Sequence, residues 1–238
     1  MLHLLEKQLD EEIEIKGNIY VSDNNMHLIH FYKTIQLSPD DFWKSMKKLI
    51  EDYEKSDNKE NFYYNIRTKF NTSKELNIDI ACNLLFLNKT CFRGIYRVNK
   101  SGQFNVPYGN YKNPTICSYE HVQYVSKLIQ KVIFTHQDYT ETLSSVLKKK
   151  DFVYLDPPYV PEKNDSFVSY TENGFTNHKE FFDICKKIKS RWCMSNSNVK
   201  LVTDEFKDYN IELVECKRAI NSKKPNSVTN EVIIDNNL

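Results

Sequence analysis

The sequence predicts an α/β fold: a doubly wound, mainly parallel sheet interrupted by an inserted helical and hairpin subdomain. Three observations predict it. From Ser118 onward, short apolar runs alternate with amphipathic stretches, the pattern of strands and crossover helices. Between Pro39 and Pro114 this alternation gives way to consecutive helical segments and a hairpin, as an insertion would. Asp23, Asp138 and Asp156 each closely follow a predicted strand, and doubly wound sheets collect ligands at the carboxyl ends of their strands. Residues 1–38 and 115–238 are therefore assigned to the sheet domain and residues 39–114 to the insertion.

Taken in order, Leu2–Leu9 has helical spacing, and Asn18–Ser22 is a β-rich run stopping at Asp23-Asn24-Asn25, a strand end and helix cap. Met26–Ile35 is amphipathic. Pro39 and Asp40 then open a helix over Phe42, Trp43, Met46, Leu49 and Ile50. Phe62–Phe70 and Leu76–Leu87 continue the helical block. A hairpin follows, with Ser101-Gly102 as its turn and Phe104–Val106 as a strand. The spacing next predicts a helix from Ser118 to Gln130, a strand over Val132–Phe134, a helix over Thr140–Leu147 and a strand over Phe152–Leu155. A polar loop at Glu162–Gly174 precedes a helix over Lys179–Lys189. Strands Trp192–Met194, Ile211–Val214 and Glu231–Ile234 complete the set.

Composition narrows the class without naming it. Hydrophobic residues at 40% and charged residues at 27% are the balance of a soluble globular chain, and 238 residues suffice for one domain carrying a subdomain. No window approaches the ~18 apolar residues of a membrane span. The N-terminus shows no basic leader with an apolar core, so no signal peptide is expected. The six cysteines are scattered without metal-ligand spacing. They read as reduced, mostly buried thiols of a cytoplasmic protein, with no metal site expected. The net charge of +1 decides nothing about nucleic acid, because distribution matters more than the sum. Lys89, Arg93, Arg97, Lys100 and Lys112 share a stretch free of Asp and Glu, interleaved with Phe92, Tyr96, Phe104, Tyr108 and Tyr111. Basic residues mixed with aromatics suit a surface that touches phosphates and bases. A second basic group, Lys217, Arg218, Lys223 and Lys224, is either a solvated face or another such surface.

The sharpest chemistry lies in Asp156-Pro157-Pro158-Tyr159, directly behind the apolar run Phe152–Leu155. An exocyclic amino group is a poor nucleophile because its lone pair is delocalised into the ring. Acceptors for both amino hydrogens draw the nitrogen toward a pyramidal, reactive state. The Asp156 carboxylate can be one acceptor and the Pro157 carbonyl, held in direction by the two prolines, the other. Tyr159 offers an aromatic face to a base turned out of its duplex. A proline pair also serves as plain strand-end punctuation, but the acid before it and the aromatic after it make the run far more specific.

This run and its setting resemble the Dam-type family of DNA adenine methyltransferases, and the resemblance extends over nearly the whole chain. The segments Leu87–Asn99 and Gly102–Pro114 are similar to that family's recognition loop and hairpin, and Tyr20–Asn25 to the strand whose acid holds the cofactor ribose. Phe175-Thr176, Ser195-Asn196 and Glu231–Ile234 resemble later elements. The resemblance implies a Rossmann-like methyltransferase fold, S-adenosyl-L-methionine as methyl donor and double-stranded DNA as substrate, with a GATC-like target. It implies that Asp23 binds the donor's ribose, that Asp138 lies near its adenine, and that Asp156 lies beside its methionine end and the target amine. A helix-start role is the competing reading for both Asp23 and Asp138. Arg97 corresponds to the guanine-reading arginine, a bidentate contact suited to guanine's major-groove edge. Phe92 and Arg93 correspond to residues that enter the duplex near the target, although Asn is frequent at the second position. Ile95, Asn105, Pro107, Tyr111 and Lys112 correspond to further DNA contacts.

One family element is missing from the expected order. The glycine-rich loop that lets backbone approach the donor's methionine end has no counterpart here, and Leu2–Leu9 resembles the helix that follows it. Two readings therefore stand beside each other: an enzyme whose missing segment comes from a separate polypeptide, or an inactive DNA-binding relative. A third, methylation of RNA or of a protein amide, gives the Arg97 hairpin nothing to do.

Overall fold

The structure, a computed structural model, describes residues 1–145, 148–161, 177–218 and 227–237. Contacts divide the chain into two units, the first formed by Met1–Tyr96 with Gln103–Tyr139 and the second by Arg97–Gly102 with Thr140–Leu238.

The first unit holds α1 (Leu2–Leu9), β1 (Ile19–Asp23), α2 (Met26–Leu37), α3 (Pro39–Lys55), α4 (Lys59–Thr72), α5 (Ile78–Thr90), α6 (Tyr119–Leu128) and β2 (Val132–His136). Side-chain caps set several boundaries. Asn25, Asn58, Asn77 and Ser118 each accept a hydrogen bond from a backbone N–H of the first turn of α2, α4, α5 and α6. Pro39 begins α3, with Asp40 and Asp41 at its positive end. Helix α5 is the centre of the bundle. It is apolar nearly all round, burying Ile80, Ala81, Cys82, Leu84, Phe86 and Leu87, as an enclosed helix must. Strands β1 and β2 run parallel in register Ile19↔Val132 to Asp23↔His136. Val132 and Phe134 are buried, with Phe134 stacked on Tyr32 of α2 at 5.3 Å between ring centroids. Gln36 Nε2 donates to the carbonyls of Ile129 and Val132, and Gln130 Nε2 donates back to the carbonyl of Gln36, so α2 is latched to the turn before β2.

The second unit contains α7 (Tyr139–Ser145, entering from the first unit), β3 (Phe152–Leu155), α8 (His178–Lys187), β4 (Arg191–Ser197), α9 (Lys200–Glu205), β5 (Asn210–Arg218) and β6 (Ser227–Asp235). The sheet order is β3-β4-β6-β5. One face buries Trp192, Met194, Val232 and Ile234 together with Phe182 of α8 and Phe206 after α9. The rings of Phe182 and Phe206 meet at 5.0 Å and those of Trp192 and Phe206 at 5.9 Å. Lys186 of α8 and Glu205 of α9 form an ion pair.

The α/β expectation holds, with three differences. Among the described residues the strand pairs β1–β2 and β3–β4 are parallel, whereas β6 is antiparallel to both neighbours. Residues 219–226 between β5 and β6 are fewer than the dozen or so that a parallel crossover needs, so the chain must return antiparallel. Helix α9 carries too short a periodic signal to be read, at six residues. The segment Phe104–Val106 forms no continuous strand, only a single bridge position at Phe104. Asn71 on α4 takes the part of a neighbouring strand, donating to the Phe104 carbonyl and accepting from its N–H, both at 2.9 Å. The expected polar loop Glu162–Gly174, Phe175-Thr176 and Lys223-Lys224 lie outside the described residues. Burial pushes the Cys82 and Cys185 thiols up to about 12, which keeps them protonated and unreactive.

Candidate functional site

In the second unit, β3 ends on buried Leu155 and delivers Asp156 to the surface. Parallel pairing sets Leu155 against Met194, so the next residue of β4, Ser195, stands beside the acid. Ser195 Oγ donates to Asp156 Oδ1 at 3.0 Å, and the Tyr154 hydroxyl donates to Ser195 Oγ at 3.1 Å. Asp156 and Pro157 each precede a proline, a position that steric clash confines to extended backbone, so the turn cannot coil back into a helix. The chain beyond it is tied down by Asn196, fully buried, whose Oδ1 accepts from the N–H of Val160 at 3.0 Å. Its Nδ2 is buried with no hydrogen-bond partner among the described residues. Tyr159 points its hydroxyl at Glu231 on β6, donating to Oε2 at 3.3 Å. Burial, opposed by the neighbouring Ser195 hydroxyl and assisted by the charges of Glu231 and Asp156, pushes the Tyr159 phenol up to about 12. It stays a neutral donor across the physiological range.

In the first unit, Asp23 closes β1 opposite His136, and Asp138 follows two residues beyond. Both acids thus lie at the carboxyl end of the same parallel pair. The cap of α2 is Asn25 and not Asp23, whose Oδ1 instead accepts from the Asn25 N–H at 2.6 Å. Asp23 is also close enough for its charge to raise the phenols of Tyr32 and Tyr96, in each case behind burial as the larger cause. A carboxylate at the end of a parallel strand, near two tyrosines, supplies acceptors of the kind that a ribose diol's hydroxyls can donate to. Asp138 is half-buried.

Apart from Arg97, the expected DNA-contacting residues are spread over two chain segments that the first unit brings together. Cys91 and Tyr108 form an isolated antiparallel bridge. Around it, Phe92 N–H donates to the Pro107 carbonyl at 2.8 Å and Gly109 N–H to the Thr90 carbonyl at 2.9 Å. Arg93 adopts a left-handed φ of 59°, and its N–H donates to the Tyr111 hydroxyl at 2.9 Å. Its guanidinium lies 5.0 Å from the centre of the Phe92 ring. Phe92 and Tyr111 remain exposed aromatics, at 45% and 41% of their full area. Pro107 and Lys112 are also exposed. Ile95 and Asn105 are half-buried, and the Ile95 carbonyl accepts from Cys91 Sγ at 3.3 Å. Arg97 is half-buried and opens the stretch that contacts assign to the second unit. Beneath the loops, Tyr63 and Arg67 donate to the Val106 carbonyl at 2.8 and 3.0 Å, and the hydroxyls of Tyr53 and Tyr108 meet at 2.8 Å. A cavity of about 570 Å³ opens between the α3–α4 turn at Asp57–Glu60 and Tyr108–Lys112.

Sequence reasoning gave no chemical role to Tyr154, Ser195, Asn196 or Glu231. Ser195-Asn196 was legible only as a resemblance, and what joins it to Asp156 is the β3–β4 register, which no local pattern carries.

An acid-proline-proline-aromatic turn closing a parallel strand offers the acceptors and the ring that methylation of an amino group would use. The sequence profile of the D12 class N6 adenine-specific DNA methyltransferases matches residues 12–220. The chain therefore belongs to the family of D12 class N6 adenine-specific DNA methyltransferases. It is 36% identical over 216 residues to the type II methyltransferase M.MjaIII of Methanocaldococcus jannaschii, covering 86% of this chain and 74% of that protein. It is 34% identical over 207 residues to the retron Ec67 DNA adenine methylase of Escherichia coli, covering 84% and 69%. To the DNA adenine methylase of Serratia marcescens it is 30% identical over 207 residues, covering 84% and 74%. No helix among the described residues is long and apolar enough to cross a membrane.

Proposed function

We propose that the chain transfers a methyl group from S-adenosyl-L-methionine to the exocyclic amino group of adenine in double-stranded DNA, at a GATC-like site. The observation that carries this reading is the Asp156–Tyr159 turn, whose carboxylate is held by one oxygen while standing exposed at the end of β3. Asp156 accepts from the target amine, the Pro157 carbonyl accepts its second hydrogen, and Tyr159 stacks on the flipped base. When bound, the donor supplies an electrophilic methyl on its sulfonium. Asp23 holds its ribose and Asp138 lies near its adenine. Residues 39–114 recognise the duplex. There Phe92 and Arg93 enter beside the target, Arg97 reads guanine, and Ile95, Asn105, Pro107, Tyr111 and Lys112 complete the contact.

Labelled-methyl transfer to a GATC duplex and to a scrambled duplex tests the reading. Label on adenine in the first and not in the second is expected; label on neither overturns it. The same assay with an added glycine-loop polypeptide reads whether a separate segment completes the donor site. The alternative of an inactive DNA-binding relative requires duplex affinity without donor binding, which calorimetry distinguishes.

A further inference from the structure

We propose that Ser195 is a positioning residue for the transfer: its hydroxyl fixes the Asp156 carboxylate so that Oδ2 is the oxygen presented to the target amine. The proposal rests on the reading of Asp156 as the amine's acceptor. An aspartate at an exposed strand end has a broad, roughly two-fold torsion about its carboxylate, so by itself it would offer either oxygen in many orientations. Ser195 removes that freedom. Its hydroxyl has one proton, and because it accepts from the Tyr154 phenol at 3.1 Å, that proton is directed to Asp156 Oδ1 at 3.0 Å. Oδ1 is thereby engaged and Oδ2 is left to the substrate.

The serine is itself held rigidly. It is 7% exposed, lies in the middle of β4, and pairs with Ile233 of β6 on one side while the Leu155↔Met194 register fixes it on the other. A buried strand serine can satisfy itself on a nearby carbonyl. This one instead donates across to an exposed acid that ends the neighbouring strand. The geometry is that of an orienting group, which lowers a barrier by ordering the acceptor before the substrate arrives. No bond to Ser195 forms or breaks in the reaction.

The test compares wild type with Ser195→Ala, Ser195→Thr and Tyr154→Phe, reading single-turnover methyl transfer, affinities for duplex and donor, and the carboxylate infrared band of Asp156. That band is isolated by difference from Asp156→Asn and needs no activity. Loss of a hydrogen bond to a charged group predicts a single-turnover rate about 10- to 100-fold lower in Ser195→Ala, with both affinities unchanged. Ser195→Thr, which keeps the hydroxyl and suits a strand, restores most of the rate. Tyr154→Phe, at an exposed position, gives a smaller loss. The infrared band shifts in Ser195→Ala and stays in Ser195→Thr. An unshifted band in Ser195→Ala overturns the proposal, as does a wild-type rate, or a loss in which the threonine variant is equally slow. If Ser195→Ala does not fold, Tyr154→Phe with wild-type rate and band overturns it. Absence of transfer by the wild-type protein, with the band shift intact, counts against the functional reading and leaves the oriented carboxylate standing.

Discussion

Gly109 should be irreplaceable for a steric reason that can be worked in numbers. A Cβ built there lies 2.5 Å from Tyr111 Cε2, 2.6 Å from the Cys91 carbonyl oxygen and 2.8 Å from its carbon. Ordinary carbon contacts begin near ~3.5 Å, so the two loops must part by roughly 1 Å. Cys91 has nowhere to go, since its N–H donates to the Leu87 carbonyl at 2.8 Å to end α5 and the residue is fully buried. Tyr111 can swing away only by giving up its hydrogen bond from Arg93. Relief therefore opens the Cys91–Tyr108 bridge, with its bonds from Phe92 to Pro107 and from Gly109 to Thr90. Overpacking of ~1–3 kcal/mol plus one or two hydrogen bonds of ~1 kcal/mol each puts Gly109→Ala about 2–5 kcal/mol below wild type. At about 2–4 °C per kcal/mol for a chain of this size, the Tm falls by roughly 4–20 °C. Thermal unfolding by circular dichroism reads this, and duplex anisotropy reads the accompanying loss of affinity as Phe92, Arg93 and Tyr111 lose their common frame. Gly102→Ala is the control. Its φ of 74° is left-handed but nothing lies within 4 Å of the added carbon, so only the ~1–2 kcal/mol backbone cost applies. A Gly109→Ala protein with the wild-type Tm would refute the steric argument.

Three further outcomes are expected. Asp156→Asn should lower methyl transfer on the order of 10²–10³-fold or more while duplex affinity stays, measured by label incorporation beside anisotropy; retention of turnover would remove the acid from the chemistry. Asn71→Ala strips Phe104 of both backbone partners and should cost about 1–3 kcal/mol in urea denaturation, with weaker duplex binding and unaltered donor binding. Tyr159 gives an alkaline signature. Its folded pKa of about 12 lies above the unfolded value of about 10, so the stability it adds is fully present below about pH 10 and is lost as the pH rises toward about 12. Denaturation of wild type and Tyr159→Phe at pH values on either side of that window should show the difference between them shrinking at the alkaline end, and a constant difference would contradict the assignment.

How far the sequence could be read depended on the range of the signal. Local devices were legible. Asn25 and Pro39 announce helix starts, Ser101-Gly102 announces a turn, and Phe152–Leu155 before the proline pair announces β3 with its ends. Signals shared between distant segments were not. Phe104–Val106 reads as a strand because β-branched and aromatic residues favour one, yet it keeps only a single bridge position at Phe104, whose own N–H and carbonyl are taken by the side chain of Asn71, 33 residues earlier. Asp23 reads equally as a cap or as a ligand-binding acid. In the structure Asn25 takes the cap, and Asp23 is left at the end of the strand.

The same distinction explains why Asp156-Pro-Pro-Tyr159 is necessary for the site but does not define it. The turn supplies an acceptor and an aromatic ring, but their orientation is set from β4 and β6, strands that return 35 and 71 residues after Asp156 at Arg191 and Ser227. Strand side chains alternate between faces, so a slip of one residue between β3 and β4 would replace Ser195 beside the acid with Met194 or Asn196, which face the other way. A slip between β4 and β6 would likewise carry Glu231 away from Tyr159. What prevents either slip is the opposite face, where Trp192, Met194, Val232 and Ile234 must all stay inside against Phe182 and Phe206. Burial on one face of the sheet therefore sets hydrogen-bond geometry on the other. Core substitutions that loosen register, such as Met194→Ser, should slow transfer without touching a single polar residue of the site.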